Sequence, residues 1–189
     1  MIDKELLEES ARNLLKAFGR ETSEPGLGHT PERFASVFLE ENSEDPEQVL
    51  RDGIIEGVTY SGMVVETGLS FFSLCEHHLL PFSGTATIAY IPDKTVIGLS
   101  KLPRALRCLA NGPNLQETVT ERLADLIDKV LEPKAVGVIL SATHRCMADR
   151  GIRAEGSQAV TSVLRGAFLE RGSSARAEFL SLRRREGKG

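Results

Sequence analysis

The chain has 189 residues, of which 41% are hydrophobic and 26% charged, an ordinary balance for a soluble globular protein. That length predicts one domain with a modest appendage and a core that needs no disulfides. The net charge of −4 argues against a general nucleic-acid binder, which needs a basic face. No apolar run is long enough for a transmembrane helix, and the acidic, amphipathic N-terminus lacks a secretory apolar segment. We therefore expect a cytoplasmic protein without a membrane or nucleic-acid partner.

The first part of the chain has the pattern of helices. Apolar side chains recur at helical spacing through residues 3–19, whereas residues 21–29 are polar and contain proline and glycine, which is typical of a loop. The run Thr30–Glu32 favours a second helix, with threonine as N-cap and proline in the first turn. Residues 42–47 are polar and acidic and predict a connection or the start of a short helix. We assign residues 1–60 to an N-terminal helical region.

Residues 61–189 predict a second region of mixed helices and strands. Residues 63–72 and 84–91 are rich in β-branched and aromatic side chains between turn-forming residues, which is typical of strands. The remaining predicted elements are, in chain order, a helix over 101–110 capped by Ser100, a helix over 114–131 capped by Asn114, a strand over 135–142, a weaker strand over 158–168 and a helix over 175–185. Helices followed by mostly antiparallel strands indicate an α+β fold.

The cysteines point to metal chemistry rather than to disulfides. There are three of them, Cys75, Cys108 and Cys146, and this odd, small number without a signal peptide is typical of a reducing compartment. Cys108 stands among apolar residues of a predicted helix, where a free cysteine is usually a small buried hydrophobe. The other two cysteines each stand close to histidines.

Two clusters of cysteine and histidine predict a zinc site. Cys75 and His78 are three residues apart, and Cys146 follows a second cluster that begins with His144. Zinc prefers thiolate and imidazole ligands, and three protein ligands with an open fourth position are typical of catalytic zinc. We predict Zn²⁺ on Cys75, His78 and Cys146, with His77 and His144 beside it as proton carriers. Spacing alone leaves open whether His77 or His144 replaces one of the three.

A basic helix start predicts an anion site. If Ser100 caps the helix, its hydroxyl, the first backbone N–H groups and Lys101 face the same place, and Arg104 adds charge. Arg150 and Arg153 follow the second cluster and could add contacts to a phosphate. The alternatives are a solvated helix start and ordinary surface arginines.

Glu117 has two interpretations. It lies in the first turn of the helix predicted over 114–131, where the helix dipole favours an acid in any case. A carboxylate at this place could also receive the paired N–H groups of a guanine edge, although nothing local demands it.

The order and spacing of these residues closely resemble the GTP cyclohydrolase I family, from about Gly26 to the C-terminus. The motifs that carry the resemblance are Gly26-Leu27, Thr30-Pro31-Glu32-Arg33, Cys75-Glu76-His77-His78, Pro81-Phe82, Tyr90-Ile91-Pro92, Gly98-Leu99-Ser100-Lys101, Gln116-Glu117, His144-Arg145-Cys146-Met147 and Arg150-Gly151. The resemblance implies a tunnelling fold (T-fold), with an antiparallel sheet and helices on one side. It also implies a homo-oligomer, a toroidal decamer with active sites between subunits.

The activity that the resemblance implies is hydrolysis of GTP at C8 by zinc-bound water, which releases formate and forms 7,8-dihydroneopterin triphosphate for pterin and tetrahydrofolate synthesis. Zinc lowers the pKa of bound water toward neutrality, which makes hydroxide accessible at neutral pH. By matching positions, the implied roles are zinc ligation by Cys75, His78 and Cys146, proton transfer by His77 and His144, guanine binding by Glu117, pocket lining by Gln116, and triphosphate binding by Ser100, Lys101, Arg104 and Arg150 with help from Arg33, which a neighbouring subunit can supply.

The sequence departs from the family at several positions near the implied phosphate end. Ser36 stands where the family usually has lysine, Asn111 and Gly112 replace residues of which at least one is typically basic, and Ala159 replaces a usual threonine. A charge-assisted contact to phosphate is worth about 1.5–3 kcal/mol, so these changes predict altered binding of the triphosphate.

Two other functions remain open from the sequence. A paralogue in a specialised nucleoside pathway could act at C8 of GTP and release another product, either a formylated ring-opened intermediate or 8-oxo-GTP. A non-catalytic T-fold subunit is the third hypothesis, but it would not need the three metal ligands together with both extra histidines.

Overall fold

The computed structural model describes residues 2–39, 44–58, 60–170 and 172–183. The chain divides into two compact units, Met1–Asp45 and Pro46–Gly189. In the described residues, none of the helices combines the length and the apolar character that crossing a membrane requires.

The first unit is a pair of packed helices, α1 (Lys4–Ala17) and α2 (Thr30–Leu39). The side chain of Asp3 caps α1 by accepting a hydrogen bond of 3.0 Å from the backbone N–H of Leu6. The structure confirms the helix predicted within residues 3–19 and the helix predicted to begin at Thr30. Of the connection predicted over 42–47, residues 42 and 43 lie outside the described part of the chain.

The second unit is a five-stranded sheet with helices. Its elements are α3 (Pro46–Arg51), β1 (Ile54–Ile55), β2 (Val64–Cys75), β3 (Pro81–Ile91), β4 (Val96–Ile97), α4 (Lys101–Ala110), β5 (Pro113–Asn114), α5 (Gln116–Leu131), β6 (Ala135–His144), α6 (Arg145–Ala148), β7 (Ala159–Gly166) and α7 (Ser174–Arg183). The sheet order is β5-β2-β3-β6-β7, and β1 and β4 form a separate two-stranded sheet. All pairs are antiparallel except β5, which runs parallel to the end of β2.

Alternate residues of β6 enter two different cores, as the two-residue period of a strand requires. Val136, Val138 and Leu140 belong to the main core, which α4 and α5 cover with apolar side chains at helical spacing. Ala135 and Ile139 face the opposite way, where Phe168 and Phe179 form a smaller core with the C-terminal helix α7. The helices α3 to α5 thus cover one face of the sheet, and α7 covers part of the other.

The predicted division at residue 60 differs from the division that the structure shows after Asp45. The helix α3 packs against α4 and α5, and β1 pairs with β4, so residues 46–55 join the second unit. These contacts are long-range and leave no mark on local composition.

The prediction of Asn114 as a helix cap is wrong, and Ser100 holds the predicted cap position without a capping hydrogen bond. The helix predicted from Asn114 begins at Gln116, and Asn114 is instead a buried residue of β5 whose side-chain amide donates to the carbonyl of Ala110 at 3.1 Å. Ser100 does precede α4, but its backbone is helical and its side chain makes no capping hydrogen bond. Both residues are good caps in isolation, and the tertiary contacts of Asn114 outweigh that local preference.

Candidate active site

The sheet topology brings the two predicted cysteine–histidine clusters to the same end of the sheet. Because β2 and β6 are each antiparallel to β3, which lies between them, they run in the same direction and end on the same side. Cys75 is the last residue of β2 and His144 the last residue of β6. The turn after β2 and the short helix α6 after β6 therefore lie next to each other.

Three side chains form the candidate metal centre. One ligand atom each of Cys75, His78 and Cys146 lies within 4.8 Å of the other two, and the Sγ atom of Cys75 is 3.7 Å from Nδ1 of His78. Cys75 is buried, Cys146 is half-buried and His78 is exposed. The turn is tight because the N–H groups of both His78 and Leu79 donate to the carbonyl of Cys75, at 3.2 and 2.8 Å.

His77 lies beside this group. Its Nδ1 atom is 4.0 Å from Sγ of Cys75, and its exposed ring meets the His78 ring edge-on with centroids 6.2 Å apart. The three-residue group with converging ligand atoms contains His78 rather than His77 or His144.

The donor set suits zinc. Two sulfur atoms and one imidazole nitrogen are preferred zinc ligands, and three protein ligands leave a fourth position for water or substrate. Burial raises the pKa of the Cys146 thiol, and the neighbouring Cys75 raises it further, while the charge of Arg150 acts in the opposite direction. A bound cation would favour both thiolates and so relieve the cost of placing two sulfur ligands together.

His144 is held on two sides next to the metal group. Its ring stacks on that of Phe82 with centroids 4.4 Å apart, and its Nε2 atom lies 2.9 Å from Oε1 of Gln116. Burial lowers the pKa of His144, and the carboxylate of Glu117 partly offsets this. Glu117 itself is exposed in the first turn of α5.

Gln116 is enclosed by protein. It is 1% exposed, and its Nε2 atom lies within 3.1–3.2 Å of the carbonyl oxygens of Leu140 and Ala159 and the hydroxyl of Thr161. The hydroxyls of Thr161 and Thr120 are in turn 2.6 Å apart. Sequence patterns gave no role to Phe82, Thr120 or Thr161, because only their position in the sheet and in α5 relates them to His144.

The predicted phosphate-binding residues lie in three places. Ser100, Lys101 and Arg104 stand at the start of α4, where Ser100 and Arg104 are exposed and the side chain of Lys101 lies over Gly53. Arg150 is exposed after α6, close enough to Cys146 for its charge to act on the thiol. Arg33 is on α2, in the first unit.

The departures from the family pattern have local structural roles. Gly112 has φ of +86°, which favours glycine, and its carbonyl accepts hydrogen bonds from Leu74 and Ser73 at 3.1 Å. Ala159 contributes a backbone carbonyl to Gln116, which any residue could supply. The hydroxyl of Ser36 donates to the carbonyl of Arg33 at 2.9 Å.

Comparison with known proteins gives a consistent assignment. The family described as GTP cyclohydrolase I matches residues 7–184. GTP cyclohydrolase 1 of Aquifex aeolicus (strain VF5) is 46% identical over 182 residues, covering 96% of this chain and 97% of that protein. GTP cyclohydrolase 1 of Hydrogenobaculum sp. (strain Y04AAS1) is 45% identical over 170 residues, covering 89% and 92%. The crystal structure of the archaeosine synthase QueF-Like in the apo form aligns with a TM-score of 0.47 and 16% identity, covering 58% of this chain and 97% of that one.

The family match spans nearly the whole chain, and the relatives are matched over nearly their whole length. The α+β architecture agrees with the T-fold expected for the family. The chain therefore belongs to the GTP cyclohydrolase I family and is an enzyme of this type.

Proposed function

We propose that this chain is a zinc-dependent GTP cyclohydrolase I that opens the imidazole ring of GTP at C8, releases formate and forms 7,8-dihydroneopterin triphosphate. The observation that carries the proposal is the convergence of Cys75, His78 and Cys146 within 4.8 Å, next to a histidine held in a fixed orientation. Family membership supports the choice of this reaction. The three candidate ligands and the neighbouring histidine are groups that suit its chemistry.

Cys75, His78 and Cys146 are the residues that would hold the metal. Zn²⁺, when bound, supplies a Lewis acid that lowers the pKa of water toward neutrality. The short turn after Cys75 fixes two of the ligands through backbone hydrogen bonds, and α6 supplies the third. Loss of any one ligand should therefore abolish both metal binding and turnover.

Two histidines are suited to move protons. His144, held between Phe82 and Gln116, is placed to hold a proton at N7 of guanine, which makes C8 more electrophilic. His77 is exposed next to Cys75 and can exchange protons with solvent.

Polar and charged side chains of α4, α5, α2 and the segment after α6 would bind the substrate. Glu117 acts electrostatically on His144, so a guanine whose N–H groups Glu117 receives would lie next to that ring. We assign the triphosphate to Ser100, Lys101, Arg104 and Arg150, with Arg33 as a further cation. Helix starts and arginine side chains are favourable sites for phosphate oxygens.

We propose further that the chain assembles as a toroidal homodecamer with active sites between subunits. Within the described residues β7 pairs only with β6, so its other side offers backbone groups to a neighbouring chain. Light scattering should give the mass of ten chains, and a monomeric mass would contradict this part of the proposal.

The test is an end-point assay on zinc-loaded protein with GTP, in which formate and the mass of the product are measured together. Dihydroneopterin triphosphate with one formate per GTP supports the proposal. GTP consumption without formate would instead indicate the paralogue that releases a formylated intermediate or 8-oxo-GTP. Absence of turnover in protein that carries zinc would favour the non-catalytic subunit.

A further inference from the structure

The hydrogen bonds around Gln116 specify the state of the neighbouring histidine ring. We propose that Gln116 is a positioning residue that keeps a hydrogen on Nε2 of His144 and leaves Nδ1 as the ring atom that meets the substrate. The first half of this inference stands on the contacts alone, and the second half rests on the proposed function.

The orientation of the Gln116 amide follows from its surroundings. The two carbonyl oxygens of Leu140 and Ala159 lie 3.2 and 3.1 Å from the side-chain nitrogen, and a carbonyl can only accept a hydrogen bond. Rotating the amide by half a turn would place its oxygen against both carbonyls, which have no hydrogen to donate to it. The nitrogen of Gln116 therefore faces β6 and β7, and the oxygen faces His144.

A chain of hydroxyls fixes the same orientation independently. The Thr120 hydroxyl donates to the backbone carbonyl of Gln116 at 2.7 Å, so it has no hydrogen left for Thr161. The Thr161 hydroxyl, 2.6 Å away, must then donate to Thr120 and accept from Nε2 of Gln116, at 3.1 Å. Each of the two hydroxyls therefore donates in one direction only, which requires a nitrogen of Gln116 next to Thr161.

The state of His144 follows from these two steps. Because Oε1 of Gln116 can only accept, the 2.9 Å contact requires that Nε2 of His144 carry the hydrogen. The Phe82 ring, inclined by only 4° to the imidazole, limits tilting of the ring plane. Ring orientation and tautomer are thus both set by protein contacts, as an outer partner sets them for histidine in many active sites.

This role differs from a direct contact with guanine. All the polar atoms of the Gln116 side chain are engaged with protein, and the residue is 1% exposed. A substrate-binding residue would need to give up one of these contacts. Alanine at position 159, where the family usually has threonine, does not disturb these contacts, because only the backbone carbonyl of residue 159 takes part.

The direct test is nitrogen NMR of metal-loaded protein labelled with ¹⁵N in its four histidine rings, with His144 assigned from the spectrum of His144→Asn. Under conditions that keep the ring neutral, the proposal expects a protonated Nε2 and a bare Nδ1, with the Nε2–H signal shifted or lost in Gln116→Leu. A hydrogen on Nδ1 in the unmodified protein would overturn the inference. No substrate is needed, so an inactive but correctly tautomeric protein would count against the proposed function and not against this assignment.

Kinetics separate positioning from substrate binding. In Gln116→Leu we expect kcat to fall about tenfold or more, as for one lost well-aligned hydrogen bond, with KM for GTP changed less than about twofold. Gln158→Leu is the matched control, since the side-chain oxygen of Gln158 accepts from Ser141 instead of from a ring. A rise in KM with unchanged kcat in Gln116→Leu would assign Gln116 to the substrate and refute the positioning role.

Discussion

The imidazole of His144 lies flat on the phenyl ring of Phe82, with ring centroids 4.4 Å apart and planes inclined by 4°. The two residues are direct partners across β3 and β6, and Phe82 is fully buried. Phe82 also meets Phe71 edge-on at 6.2 Å. The histidine proposed to move a proton therefore rests on the main hydrophobic core.

Replacing Phe82 by leucine should loosen that ring. We expect Phe82→Leu to lower the free energy of unfolding by about 1–2 kcal/mol, from lost packing and stacking, and to lower kcat about tenfold. Phe71→Leu is the control, because it removes a similar buried ring that meets Phe82 edge-on instead of stacking on His144. Denaturant unfolding and steady-state kinetics check both variants, and equal kcat losses would contradict the role of the stack.

Metal analysis can decide which side chains bind zinc. We expect about one zinc per chain in the unmodified protein, and little in Cys75→Ser, His78→Asn or Cys146→Ser, because each removes one of three converging ligands. His77→Asn should retain zinc while losing activity. Cys108→Ser serves as the cysteine control, since Cys108 lies on α4 outside the group. Loss of zinc in His77→Asn with retention in His78→Asn would reverse the assignment.

Glu66 should make stability depend on pH. It lies on β2 beside a register shift, its Oε1 atom is buried and lacks a hydrogen-bond partner among the described residues, and burial raises its pKa from 4.5 to about 7. The folded state thus binds more protons than the unfolded state between these values. The contribution of Glu66 to the free energy of unfolding is therefore most favourable below pH 4.5, and it is lost as the pH rises through about 7.

Glu66→Gln should remove this dependence. Denaturation midpoints of the zinc-loaded proteins at pH 5.5 and 8 should show the variant gaining stability relative to the unmodified chain as the pH rises. Glu56→Gln, which removes an exposed carboxylate, should show no such trend. A difference between Glu66→Gln and the unmodified chain that is the same at both pH values would contradict the assignment.

Gly84 allows the close pairing that places His144. A Cβ atom at this position would stand 1.9 Å from the Ser141 carbonyl oxygen and 2.6 Å from Cα of Ala142, both of them backbone atoms of β6. Gly84→Ala should therefore cost about 3 kcal/mol or more of unfolding free energy. At Gly98 the same change meets only ordinary contacts at 3.9 Å and should cost less than about 1 kcal/mol. Similar unfolding curves for the two variants would refute this account of the strand pair.

Local patterns were sufficient to predict the longer helices and strands, whereas the two-residue strands β1, β4 and β5 were not predicted. The helical periodicity of α5 is a strong signal because one stripe of the helix is buried. The continuous apolar run of β6 is equally strong because both faces of this strand are buried. The spacing of Cys75 and His78 is readable because both candidate ligands lie in one tight turn. Spacing alone left His77 open as an alternative to His78, since adjacent histidines have almost the same spacing, and the converging ligand atoms favour His78.

The support around His144 could not be predicted in the same way. Gln116, Thr120 and Thr161 meet only because α5 packs on β6 and β7, so no sequence window contains them together. Asn114 was predicted as a cap on its local preference, whereas its amide closes the connection between α4 and α5. Long-range packing decides such polar contacts, and it leaves no periodic signal.

The most direct measurement of the central claim follows the carbon atom at which the reaction is proposed to occur. Zinc-loaded protein is incubated with GTP carrying ¹³C at C8, and the label is followed by NMR together with the mass of the nucleotide product. The account predicts that all of the label appears as formate, in step with formation of unlabelled dihydroneopterin triphosphate. Label that stays in the nucleotide product while GTP is consumed would contradict it.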